Sequence, residues 1–150
     1  MKPLFILIVA FLICLIGTKL FTGIFDQLLS GRIAMSVMLL FTAIGHFVLV
    51  KGMSLMMPSF LPFKKQLVYL TGLIEIAAAI GLLIPDWHKT AGWLLIIFFI
   101  LILPANVKAA VRHVDYEKGT YEGPGAKYLW FRIPLQILFI AWVYWFSVRH

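Results

Sequence analysis

A chain of 150 residues that is 63% hydrophobic and only 13% charged, with a mean hydropathy of +1.00, is no ordinary water-soluble domain, which averages about 45–50% apolar and about 25% charged. Its net charge of +7 does not point to nucleic acid, because no Lys/Arg-rich run with interleaved aromatics lies on a polar face; basic residues of this kind flank membrane spans and set their orientation. Cys14 is the only cysteine, so an internal disulfide, a C-x-x-C redox pair and a thiolate metal cluster are excluded.

A bilayer core requires roughly 20 apolar residues of helix, and five runs come near that length. The first extends from Leu4 to Phe21, with the Lys19 stem able to snorkel. It has the basic start and apolar core of a signal peptide, but "TKLFTGIFDQ" follows in place of an A-x-A-like cleavage site, so a retained helix is expected. The connector "DQLLSGR" leads to the second run, Ile33 to Val50. Next comes "KGMSLMMPSFLPFKK", whose two prolines and many apolar residues suit the membrane interface, with Met53, Met56 and Met57 expected in interfacial packing. The third run, Gln66 to Ile84, is closed by Pro85 and the tight turn "PDWHK". The fourth extends from Thr90 to Val111, and "HVDYEKGTYEGPGAK" then forms the long polar loop. The fifth, Ile133 to Val148, lies between Arg132 and Arg149. Helices satisfy their own backbone in lipid, so the expected fold is an all-α membrane bundle of five transmembrane helices.

Alternating the spans places nine Lys and Arg residues on the N-terminal side and four on the other. The positive-inside rule then expects the N-terminus in the cytoplasm and the C-terminus outside, which for a bacterial protein means the inner membrane.

One group breaks the third span. Glu75 lies roughly 14 Å into it at 1.5 Å per residue, and an unpaired carboxylate at that depth costs about 2.5 kcal/mol or more. It is either protonated or partnered. His46 near the end of the second helix, Tyr69 near the start of the third, Asn106 late in the fourth, and Arg132 and Gln136 at the start of the fifth all fall in the same half of the membrane. These six residues form the candidate site for ligand binding or proton exchange; the sequence does not assign a catalytic residue. Gly72 and Ala79 flank Glu75 at a spacing that permits close helix approach. Pro104 is expected to free the carbonyl of Ile100 deep in the bundle, and Pro134 to sit just inside the start of the fifth helix.

His46, His88, His113 and His150 fall on separate segments without zinc-ligand spacing, so no metal is expected. No G-x-S-x-G, H-E-x-x-H, P-loop or dinucleotide fingerprint is present.

Taken in order, "RIAMSVMLLFTAIGHF", "LPFKKQLVYLTGLIEIAAAIGLLIP", "LPANVKAA" and "WFRIPLQILFIAWVYWF" resemble the DoxX-like family of small integral membrane proteins. The resemblance implies a four-helix core over residues 31–150, with residues 1–30 an additional N-terminal transmembrane helix and its connector. It also implies inward-facing polar positions at His46, Tyr69, Glu75, Asn106, Arg132 and Gln136. The family has been linked to quinone-coupled sulfur oxidation and to oxidative-stress assemblies, and similar vertebrate proteins look like receptor chaperones. Two expectations follow: a site for a lipid-soluble molecule such as a quinone, in a protein working as a redox or stress-response subunit, or an assembly helper whose polar cluster is structural and whose "MSLMMPSFLPF" segment meets another membrane subunit. A proton-coupled transporter is a third and weaker expectation, since no internal repeat is visible. The lipid bilayer is the expected partner, with oligomerisation left open.

Overall fold

In the computed structural model, which describes residues 2–115, 117–123 and 125–150, six helices follow one another along the chain. They are α1 (Lys2–Thr22), α2 (Gln27–Val48), α3 (Val50–Met56), α4 (Lys64–Leu83), α5 (His88–Val111) and α6 (Leu129–Val143). A 3-10 turn, Gly125–Tyr128, leads into α6, and a π-helical turn, Tyr144–Val148, ends it. Five of these segments, α3 being too short, are long and apolar enough to cross a membrane. The protein is an all-α membrane-type bundle.

Contacts at the two ends show that the spans alternate in direction. At one end the Lys2 ammonium meets the Glu117 carboxylate at 3.2 Å, joining the start of α1 to the loop after α5. At the other, Arg32 Nε donates to the Phe146 carbonyl at 2.9 Å and Trp142 Nε1 donates to the Gly31 carbonyl at 3.0 Å. His88 Nδ1 stands 2.8 Å from the Ser147 carbonyl; that oxygen only accepts, so the ring donates.

The core between the helices is greasy at this second end, built on Met35, Leu39, Leu82, Leu95, Phe139 and Val143. α2 is its hub, packed most extensively on α4 and α1. The close approach of α2 and α4 depends on Gly72: a Cβ there would stand 2.8 Å from His46 Cβ and 3.2 Å from Phe47 Cε2. Gly31 admits the Phe146 ring against its Cα in the same way.

Three helix details correct the sequence expectations. α2 begins at Gln27 instead of Ile33, so most of "DQLLSGR" is helix and Ser30 and Gly31 are buried. α6 begins at Leu129, so Pro134 lies beyond its first turn and not at its start; the 3-10 turn supplies an earlier start. Pro104 lies within an unbroken α5, but on its outward face beside Ile100, which is 54% exposed. The carbonyl it deprives of a donor therefore does not serve the bundle interior.

Asp26 fixes the start of α2, its Oδ1 accepting from Leu29 N at 3.0 Å. This satisfies one of the four orphan N–H groups of the first turn. Asp26→Ala is expected to lower stability by about 1 kcal/mol, measurable as an earlier loss of ellipticity in a denaturant titration in micelles; an unchanged midpoint would contradict the capping role.

Candidate functional site

Thr42 and His46 are one turn apart on α2 and share the face turned to α4. Glu75 reaches that face from α4 and is only 5% exposed. Its Oε2 accepts from Thr42 Oγ1 at 2.9 Å, and its Oε1 stands 3.4 Å from His46 Nε2. Thr42 Oγ1 is also 3.0 Å from the Leu39 carbonyl, so its single proton serves one acceptor or the other.

The histidine tautomer follows from its neighbours. Nδ1 lies 3.1 Å from the Val68 carbonyl and 2.8 Å from Thr71 Oγ1, and the Thr71 hydroxyl itself donates to the same carbonyl at 2.8 Å. A carbonyl only accepts, so Nδ1 carries a proton and Nε2 faces Glu75. The pair then exists as acid with neutral imidazole or as carboxylate with imidazolium. Both are net neutral, which is how a carboxyl is tolerated in a span.

A second polar group lies across the interior. Arg132 Nη2 donates to Asn106 Oδ1 at 3.0 Å, and Gln136 Nε2 donates to the Phe99 carbonyl at 2.7 Å. Guanidinium has no acceptor, so Arg132 fixes the orientation of the Asn106 amide. Its Nδ2 is left buried without a hydrogen-bond partner among the described residues. Such an orphan donor costs about 1–3 kcal/mol.

Between the two groups lies a cavity of about 350 Å³, lined by Glu75, His46, Thr42, Asn106, Arg132 and Gln136 together with apolar residues of α2, α3, α5 and α6. The volume falls at the lower end of small-molecule sites, about 300–1,000 Å³. The Lys2–Glu117 pair stands at its N-terminal-side margin.

The structure thus brings five of the six sequence-predicted residues around one space. Tyr69 is the exception: it is 41% exposed, stacks on Phe47 at 5.7 Å and does not line the cavity. Other residues do that the sequence reading assigned elsewhere or passed over. Met53, Met56 and Met57, expected in interfacial packing, line the cavity instead, because the chain breaks at Leu49 and α3 turns inward. The Lys108 ammonium holds this segment by donating to the Met57 carbonyl. Thr42 and Thr71 complete the hydrogen bonding; their signal was their spacing from His46 and Glu75. Among the described residues no group of three His, Cys, Asp or Glu side chains is placed to hold a metal ion.

Over residues 35–147 the chain matches the model of a family described as a domain of unknown function, DUF8561. No curated protein and no solved structure matches it.

Proposed function

The chain belongs to the DUF8561 family, a domain of unknown function, and we propose that it binds a lipid-soluble small molecule in the polar intramembrane cavity around Glu75, with a quinone as the ligand class. The observation that carries this reading is the orphaned Asn106 Nδ2 at a cavity that also holds the His46–Glu75 pair. A ligand carbonyl would satisfy that donor, and the neutral pair would give or take a proton at a second ligand oxygen. Arg132 would hold the Asn106 amide in place, and Gln136, bonded to the α5 backbone, would fix the wall. A quinone fits this donor set, since it brings two carbonyl oxygens and, when bound, two-electron redox chemistry. The electron partner would then be another protein, making the chain a subunit or accessory of a redox or stress-response system, as the DoxX-like resemblance implies. The excess of Lys and Arg on the N-terminal side supports a cytoplasmic N-terminus.

Calorimetric titration of the micelle-solubilised full chain with a short-tailed benzoquinone tests the proposal. Saturable binding is expected, weakened at least about tenfold by Asn106→Leu, a change equal to about 1.4 kcal/mol. Tyr69→Phe should bind as the wild type does. Absence of saturable binding, or equal binding by Asn106→Leu, would reject the site. The helper reading is favoured by the exposed Phe60 and Phe63 of the α3–α4 connector. It would gain if changes there lost a copurifying subunit while Glu75→Gln altered nothing.

A further inference from the structure

The outward face of α5 carries a stripe at helical spacing, from Ile100 through Pro104 and Val107 to Val111, closed by Lys108 and Arg112. It lines an open groove of about 510 Å³, separate from the cavity. From Ile100 to Arg112 the stripe is roughly 18 Å long at 1.5 Å per residue. That matches one leaflet, half of a hydrocarbon core of about 30 Å, plus the headgroup level. The apolar part lies towards the membrane middle and the cations at the face shared with Lys2.

The cations are crowded. Lys108 and Arg112 lie four residues apart on one face of α5, and both line the groove. The ion pairs among the described residues are Lys2–Glu117 and His46–Glu75, so neither Lys108 nor Arg112 has a carboxylate partner there. Arg112 makes no side-chain hydrogen bond among the described residues, while Lys108 keeps two of its three donors beyond the Met57 carbonyl.

We propose that this groove binds one anionic phospholipid, its acyl chain along Ile100 to Val107 and its phosphate between Lys108 and Arg112. A net negative headgroup relieves the repulsion between Lys108 and Arg112, whereas the choline of a zwitterionic lipid adds a positive charge to it. A second copy of this chain fits poorly. Two copies related by a two-fold axis along the membrane normal bring residues of equal depth face to face, which would set Lys108 and Arg112 against themselves.

Native mass spectrometry of the full chain, released from micelles with equal amounts of phosphatidylglycerol and phosphatidylcholine of identical acyl chains, tests this. The wild type should retain phosphatidylglycerol in preference. Arg112→Gln should lower that preference about fivefold, the share of one interfacial cation, and Arg112→Lys should restore it. Arg149→Gln, at the opposite membrane face, should leave it unchanged. Equal retention of both lipids by the wild type, an unaltered ratio in Arg112→Gln, or a lipid-free dimer would overturn the proposal.

Discussion

Glu75→Leu is expected to cost the bundle about 3–5 kcal/mol, the range for removing one partner of a buried pair. The loss exceeds that of the carboxyl alone, because His46 stays behind: its Nδ1 is held by the Val68 carbonyl and Thr71, so the ring cannot turn Nε2 towards water. The double variant His46→Leu/Glu75→Leu should recover most of the loss. Thr42 can then donate to the Leu39 carbonyl and Thr71 to the Val68 carbonyl, leaving no hydroxyl orphaned. Unfolding in mixed micelles, followed by circular dichroism across the four-member cycle, reads the coupling directly. Two single losses that simply add would show that the carboxyl and the imidazole do not depend on each other.

Gly72→Val is expected to be nearly as harmful, at about 3 kcal/mol, the upper part of the overpacking range. The first atom its Cβ meets is His46 Cβ at 2.8 Å, followed by the Phe47 ring. The backbone must move, since His46 Cβ is fixed to the α2 backbone and cannot swing aside as the outer edge of the Phe47 ring can. Displacing α2 also carries His46 away from Glu75, so quinone titration should weaken together with stability. Gly45→Ala is the control: its nearest neighbour is the mobile Met53 methyl at 3.4 Å, and alanine gains roughly 0.5–1 kcal/mol over glycine inside a helix. A Gly72→Val protein as stable as the wild type would mean that α2 and α4 are not held as closely as described.

How far these features were legible in the sequence depends on which coordinate of the helix was used. Depth along the membrane normal follows from counting residues, and it grouped His46, Glu75, Asn106, Arg132 and Gln136, which the structure brings around one cavity. Angle around the helix decides whether a residue faces inward, and there depth alone misled. Tyr69 is six residues before Glu75, about 120° round the helix at 3.6 residues per turn, which points it towards lipid. Pro104 is two residues before Asn106, about 200° away, so a buried Asn106 implies an outward Pro104. The inward turn of α3 was not legible by either route. It depends on the break at Leu49, a residue with no turn-forming chemistry of its own, and on the Lys108 contact from a helix far along the chain.

The shared proton of Thr42 has one more consequence. A hydroxyl turned to Glu75 Oε2 requires that oxygen to be bare, whereas a proton arriving on Oε2 forces the hydroxyl round to the Leu39 carbonyl. Any hydrogen ion passing from the His46 side of the carboxyl to the Thr42 side is thus accompanied by a rotor flip in α2. The vibrational frequency of the Leu39 amide, isotopically labelled, would record which side of Glu75 the hydrogen ion occupies, without any label on the carboxyl itself.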